Sequence, residues 1–253
     1  MHRLAIRKQS ITYSFSILIL LLSIIVHAHA KPSHVLRIND TNAPPLTTPE
    51  QDGFLDIIAS EAFRRAGIKL QLIKLPAERA LINANAGIED GDLVRIAGLE
   101  KLYPNLIRVP EKLIDWEFVA YSKNPNIQSS WPAIRQHTIG HITGWKIYEK
   151  HVHGAAQVVP TTTPTQLFRL LERDRIEVAL YARWMGQALI QKLGINNIHQ
   201  LEPVLASREM FIYLHKHHSK LVPKIAKALR ELKQEGFYAR TREQKLSPYI
   251  NKK

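Results

Sequence analysis

The sequence predicts an α/β protein made of two units in series. Short apolar segments with strand-like alternation recur along the chain, and segments with apolar residues at helical spacing lie between them. Strands that alternate with helices form sheets with helices packed on their faces. The 253 residues, 45% of them hydrophobic and 23% charged, suffice for one large or two small domains with real cores.

The first unit contains a clear strand–helix–strand pattern. Phe54, Ile57 and Ile58 repeat at helical spacing, and Gly67 follows as a left-handed stop. The segment 68–73 alternates apolar and polar side chains with the period of two that a strand requires. The same criteria predict strands at 35–38, 68–73, 92–97 and 116–121, and helices at 53–66 and 76–86.

The second unit repeats this rhythm. We predict strands at 138–142, 157–159 and 177–181, and helices at 145–152, 165–173 and 183–193. A late strand at 209–215 precedes a terminal helix, whose apolar stripe includes Ile225, Leu229 and Leu232 and which ends before Gly236. Its other face is expected to be solvated and carries Lys220, Lys224, Lys227, Arg230 and Lys233.

The first 30 residues have the pattern of a secretory signal peptide. Three basic residues precede the apolar stretch 15–26, and Ala28-His29-Ala30 forms a cleavage signal before Lys31. The alternative is an uncleaved membrane anchor, which requires about 20 apolar residues. We expect cleavage after Ala30 and a location in the bacterial periplasm.

Composition excludes several classes of protein. With no cysteine, the chain has no disulfide, cysteine-ligated zinc or thiol nucleophile. It also lacks the G-x-S-x-G, H-E-x-x-H, G-x-x-x-x-G-K-[ST] and G-x-G-x-x-G motifs. The histidines of 151–153 and 215–218 could bind a metal adventitiously, but we interpret them as exposed residues, and no cofactor is expected.

The net charge of +13 favours anionic partners. Nucleic acid is not expected, because the sequence has no zinc-finger spacing, no aromatic RNP-like run and no basic block of five or more residues. A solvated basic surface is the simpler interpretation of the charge.

The order and spacing of eight segments resemble those of the bacterial extracellular solute-binding proteins of family 3, the type II periplasmic binding proteins of ABC importers. The segments span essentially the whole chain after residue 30 and read GFLDIIASEAFRRAG, LPAERAL, DGDLVRIAGL, YPNLIRVP, WEFVAYS, GHITGWKIYEK, TPTQLFRLLERDRIEVALY and EMFIYLHK. No single segment is diagnostic.

The resemblance implies a two-lobed clamshell, each lobe being a mixed sheet flanked by helices. Lobe 1 would comprise 34–121 and 208–250, and lobe 2 would comprise 126–205, with crossings near 121–126 and 207–213. A monomer would close about this hinge on a small polar, anionic solute, without being an enzyme, and deliver it to an ABC permease.

Candidate ligand contacts lie at strand ends and helix starts, which face a common crevice in such folds. They are Asn42, Pro45, Arg79, Arg95, Trp145, Lys146, Thr161 and Thr162. Each has a structural alternative: Arg79 could pair with Glu78 or Glu61, and Trp145 or Trp184 could be a core aromatic.

Arg95 is the strongest candidate, because burying a guanidinium in an apolar strand costs free energy unless an anionic group pairs with it. The anion could be a ligand carboxylate or phosphate, or it could be Asp92 or Glu100 of the chain itself.

Two departures from the family pattern put ordinary α-amino acid recognition in doubt. The segment 99–106 lacks the arginine that the family uses for the α-carboxylate, and Tyr181-Ala182-Arg183 stands where an aspartate would hold the ammonium. Two alternatives therefore stay open. One is an enzyme resembling cyclohexadienyl dehydratase, with Glu78, Glu149 or Asp115 as acid or base, and the other is a sensory protein, weakened because no membrane segment or output domain follows Lys253.

Overall fold

The computed structural model describes residues 35–40 and 43–250, and the predicted signal peptide lies outside them. The described residues form ten strands: β1 Val35–Asp40, β2 Lys69–Lys74, β3 Gly91–Ile96, β4 Leu106–Arg108, β5 Ile114–Ser122, β6 Thr138–Ile142, β7 Gln157–Thr161, β8 Val178–Ala182, β9 His199–Gln200 and β10 Ala206–His215.

The same residues form eight α-helices, most of which connect successive strands: α1 Phe54–Arg65, α2 Ala77–Ala86, α3 Trp131–Ile134, α4 Lys146–His151, α5 Pro164–Glu172, α6 Arg183–Leu193, α7 Val222–Gln234 and α8 Phe237–Leu246. No helix in the described part of the chain is long and apolar enough to cross a membrane.

The strands form one mixed sheet in the order β2-β1-β3-β10-β5-β8-β6-β7, with β4 beside β10 and β9 beside β5. Its two ends are parallel, since β1 pairs in parallel with β2 and β3, and β6 pairs in parallel with β7 and β8. The long strands β5 and β10 join these ends through antiparallel pairing. The α/β class predicted from the sequence is confirmed.

Each end of the sheet has its own hydrophobic core. Phe54, Phe63 and Leu229 belong to a cluster around β1, β2, α1 and α7. Phe168 and Tyr121 belong to a second cluster at the other end, and Tyr148 to a third beside it. Separate cores support the proposed division into two lobes, which remains our prediction.

The pairing of β5 bears on where the chain crosses between the proposed lobes. Residues Phe118 to Tyr121 of β5 pair with β8, and Val119 and Tyr121 pack in the second cluster. Residues Ile114 to Phe118 pair instead with β10. We therefore propose that the crossing of β5 lies at residues 114–118 rather than at 121–126.

The start of α1 shows how local sequence positions the first half of the sheet. The Asp56 carboxylate accepts hydrogen bonds from the Gly53 N–H at 3.0 Å and the Thr48 N–H at 2.8 Å, which joins the preceding loop to the helix. A Cβ at Gly53 would lie 2.6 Å from the Leu46 carbonyl oxygen, so only glycine fits this approach.

The basic face of α7 is more structured than expected. Lys233 binds the Glu111 carboxylate, and its ammonium lies 5.8 Å from the Tyr238 ring centroid. Arg230 lies 3.7 Å from the same carboxylate. Arg230 stays exposed, so the expectation of a solvated face is wrong only at the partly buried Lys233, because the segment before β5 brings Glu111 against the helix.

Candidate functional site

A cavity of about 380 Å³ lies where the two parallel ends of the sheet meet. We call it the cleft cavity. The first end and the joining strands contribute Ala43, Ala77, Val94, Arg95, Trp116 and Met210, and the second end contributes Ile142, Trp145, Pro164, Tyr181 and Met185. Its residues come from distant parts of the chain, so only the complete fold assembles it.

Aromatic side chains form much of the wall. The rings of Trp145 and Tyr181 lie 5.0 Å apart, and Trp145 stacks on Tyr148 with an interplanar angle of 8°. The Tyr148 hydroxyl donates a hydrogen bond to the Tyr181 carbonyl at 2.5 Å, which ties α4 to β8. Trp116 completes the aromatic lining from β5. Such walls favour a ligand with a flat or apolar part.

Arg95 is the charged residue of the cleft cavity. Its Nη2 donates to the Asp92 carboxylate and to the Ala77 carbonyl oxygen, each at 2.7 Å. Its Nε is buried and has no hydrogen-bond partner in the described part of the chain. The structure therefore realises the internal pairing of Arg95 with Asp92.

The carboxyl group opposite Arg95 is nearly inaccessible, with the Asp92 side chain 1% exposed. Burial raises the pKa of Asp92, and the charge and hydrogen bond of Arg95 oppose that rise. Glu100, the other suggested partner, lies 3.7 Å from Arg108 and accepts a hydrogen bond from the Tyr213 hydroxyl. Because Arg95 is paired with Asp92, the positive charge that Arg95 brings to the cavity is largely neutralised.

Two other predicted contacts lie beside the cleft. Trp145 lines the cleft cavity, so it is more than a core aromatic, whereas Trp184 is buried in the first cluster. Lys146 is exposed and pairs with Glu149 at 2.7 Å. It lines a neighbouring cavity that shares Trp145 with the first.

The remaining predicted contacts do not line the cleft cavity, and their roles stay predictions. Arg79 is exposed on α2, and Glu61, its suggested partner, binds Arg64 and Arg65 instead. Pro45 is buried and accepts a hydrogen bond from Phe54.

Three threonines precede α5, and two of them, Thr161 and Thr162, are predicted contacts. The buried Thr161 donates to the His141 carbonyl at 3.0 Å, and the exposed Thr162 contacts Gln166. Thr163 caps the helix by accepting from the Gln166 N–H, as its position predicts. Asn42 lies outside the described residues.

Sequence reasoning missed most of the apolar lining. From the sequence, Trp116 is interpreted only as a strand residue, Tyr181 is noted only where an aspartate of the family pattern is missing, and Met185 and Met210 are not singled out. An apolar side chain in a strand looks the same whether it faces a core or a ligand. Tryptophan was the available signal: only four tryptophans occur in the chain, so each of them could have been considered as a residue of the ligand site.

The residues considered for acid–base chemistry do not line the cleft cavity. A hydrogen bond from Lys146 lowers the pKa of Glu149, with a further one from the Gly144 N–H, so this carboxyl is ionised at neutral pH. Asp115 pairs with Lys112 at 2.8 Å, and Glu78 is exposed. Among residues 35–40 and 43–250, no group of three or more potential ligands could hold a metal ion.

The topology and the cleft together define the type II periplasmic binding protein fold, in which two α/β parts border a ligand crevice. Comparisons with solved structures support this fold. No model of a known protein family matches the chain. A protein of Shewanella oneidensis, described as uncharacterized, is 29% identical over 206 residues, which cover 75% of this chain and 74% of that protein.

Three solved structures share the fold. The GluR0 ligand-binding core in complex with L-glutamate has a TM-score of 0.73 at 12% identity. The superposition covers 85% of this chain and 100% of the GluR0 chain. AbpA, an amino acid ABC transporter substrate-binding protein from Streptococcus pneumoniae bound to L-arginine, has a TM-score of 0.66 at 12% identity and covers 86% and 97%.

The third is a histidine kinase sensor domain with similarity to periplasmic binding proteins, with a TM-score of 0.67 at 16% identity and coverage of 85% and 96%. At these identities the likeness shows the fold. The fold expected from the resemblance is therefore confirmed.

Proposed function

We propose that this protein binds a small anionic solute in the cleft cavity and closes over it by a hinge motion of β5 and β10. The observation that supports this proposal is the cleft cavity itself, because both ends of the sheet contribute residues to its wall. Closure of two such parts buries the ligand and strengthens its polar contacts by excluding water.

The lining refines the expected ligand. A family pattern for α-amino acids uses an arginine and an aspartate, whereas here the Arg95–Asp92 pair is internal and Asp92 is buried. The remaining lining is mostly apolar and aromatic. We therefore propose a ligand with an apolar part and a polar atom that accepts a hydrogen bond from the accessible part of the Arg95 side chain, which is 13% exposed.

We further propose that the protein works as a monomer in the periplasm and delivers the solute to an ABC importer. The predicted signal peptide supports this location, and AbpA, which has the same fold, is described as an ABC transporter substrate-binding protein.

The experiment that tests the function is a thermal-shift screen of several hundred metabolites, followed by small-angle scattering. A ligand at 100 times its dissociation constant should stabilise the protein by about 2.7 kcal/mol. Saturation should also lower the radius of gyration. Stabilisation without compaction would contradict the hinge, and no stabilising metabolite would contradict the binding function.

A sensory role is the second candidate, since a histidine kinase sensor domain has the same fold. Enzymatic activity on prephenate or arogenate is the third, and it is favoured least because the candidate acids and bases lie outside the cleft cavity. Product formation from either compound, measured with the purified protein, would distinguish the enzyme from a binding protein.

A further inference from the structure

A second cavity of about 390 Å³ adjoins the cleft cavity and shares Trp145 with it. We call it the basic cavity. Its apolar wall is formed by Ile96, Phe118, Trp145 and Ile147, and its polar rim by Lys146, Lys150, His151 and Arg208.

Strand pairing places residues of both cavities on one face of the sheet. Arg208 lies opposite Trp116, and Met210 lies opposite Ile96. Directly opposed residues of antiparallel strands project to the same face, and alternate residues of one strand do so too. Trp116 and Met210 of the cleft cavity are therefore continuous with Ile96 and Arg208 of the basic cavity.

The charge of the rim is unbalanced. Lys146 has Glu149 as a partner, at 2.7 Å. Lys150 has no acidic partner in the described part of the chain. Arg208 donates a hydrogen bond from its Nη1 to the Ser207 carbonyl oxygen at 2.8 Å, and it has no acidic partner among the described residues either. Two cations thus face an apolar cavity without a carboxylate from the protein.

His151 lies in the same positively charged environment. Its ring stacks on Trp131 with centroids 4.4 Å apart, which fixes it at the rim. Burial lowers its pKa, and the charges of Lys150, Arg135 and Arg208 lower it further. His151 is therefore neutral at pH 7 and can accept or donate a hydrogen bond.

The apolar wall also points to a ligand. Ile96 is 45% exposed at the end of β3, at the border with the cleft cavity. An apolar side chain next to two unbalanced cations suits a molecule that is itself part apolar and part anionic. A cationic ligand would meet Lys150 and Arg208 at the rim, and the Asp92 charge is already neutralised by Arg95.

We propose that the ligand is a two-part molecule whose flat apolar body lies in the cleft cavity and whose anionic group lies in the basic cavity, bound by Lys150 and Arg208. This inference rests on the proposed binding function and specifies its ligand class as aryl or similarly flat carboxylates, sulfonates or phosphates with a short spacer. Arg95 lines the cavity that holds the body, and the net charge of the ligand is matched at the rim.

The test uses phenylacetate, 4-phenylbutyrate and 6-phenylhexanoate, each beside its uncharged amide, in titration calorimetry at low salt. We expect at least one acid to bind roughly tenfold more tightly than its amide, as one charge-assisted contact implies. In the double variant K150Q/R208Q the acid-to-amide ratio should fall to near one, while affinity for the amide should be kept.

Lys224→Gln is the matched control, because Lys224 is an exposed lysine on α7, away from both cavities, and the substitution removes the same charge. It should leave the acid-to-amide ratio unchanged, and melting curves should show that all variants fold. Trp116→Ala should weaken acid and amide alike, since it removes a wall of the cleft cavity.

Three results would overturn the inference: an unchanged ratio in K150Q/R208Q, an equal loss in Lys224→Gln, or no binding by any member of the series. The proposed function is judged separately. If metabolites from the thermal-shift screen stabilise and compact the protein while the ratio does not respond to Lys150 and Arg208, the binding function stands and the two-part ligand fails.

Discussion

Arg95 combines a hydrogen bond to a buried carboxylate with a position in the wall of the cleft cavity. The guanidinium compensates the buried Asp92 carboxylate, and the side chain also lines the cleft cavity. Leaving a buried charge unpaired is more costly than losing an exposed pair. The two contributions can therefore be separated by changing Asp92 together with Arg95.

Arg95→Ala should lower the free energy of unfolding by about 3 kcal/mol, because it leaves Asp92 buried without a partner. Adding Asp92→Asn should recover much of that stability, since the buried group is then neutral, but ligand affinity should stay about tenfold weaker. Urea denaturation and calorimetry with the ligand from the screen measure the two effects. Recovery of affinity in the double variant would show that Arg95 only supports the fold.

At the scale of single elements, charge at helix ends contributes to stability. Glu61 on α1 accepts hydrogen bonds from Arg64 at 2.7 Å and from Arg65 at 2.8 Å. Arg65 also binds Glu235, just after the end of α7, and so connects the two helices. The hydrogen bond from Arg64, with that from Arg65, lowers the pKa of Glu61 to about 2.

The lowered pKa predicts a pH dependence. Because the folded-state pKa lies below the unfolded one, the contribution of Glu61 is complete above about pH 5 and is lost as the pH falls towards 2. Glu61→Gln should cost about 1 kcal/mol at pH 6 and much less at pH 3. Glu50→Gln, at an exposed loop position, is the control in urea denaturation at both pH values. A cost that does not change with pH would contradict the charge interpretation.

For the whole molecule, the main feature is that one sheet carries separate hydrophobic cores. Phe54 lies in the core of the first end and Phe168 in a core of the second, and both side chains are fully buried. Among the strands of residues 35–40 and 43–250, only β5 and β10 connect the two ends of the sheet. The proposed hinge requires such an arrangement, because each end must stay packed while the crevice between them opens and closes.

The separate cores predict local responses to a matched pair of substitutions. Phe54→Ala and Phe168→Ala should each cost about 3–5 kcal/mol, because both leave a large cavity. Hydrogen exchange read by mass spectrometry should show faster exchange in β1, β2 and α1 for the first variant, and in β7, α5 and β8 for the second. Equal acceleration along the whole chain in both variants would contradict two independently packed lobes.

Sequence patterns predicted most of the elements because those elements depend on local periodicity. The predicted strand 138–142 and helix 183–193 agree with β6 and α6 to the residue. The short β4, α3 and β9 were missed, since two to four residues cannot show a period, and α8 was missed because its apolar residues form no stripe.

The sequence by itself determined the α/β class, the order of its main elements and the unusual position of Arg95 in an apolar strand. Only the tertiary structure decided that Arg95 pairs with Asp92, that Trp116, Trp145 and Tyr181 share one cavity, and that Lys150 lies near Arg208. The physical reason is range. Periodicity and turn residues act over a few positions, whereas these sites join residues up to more than a hundred positions apart, which meet only when β5 and β10 bring the two ends of the sheet together.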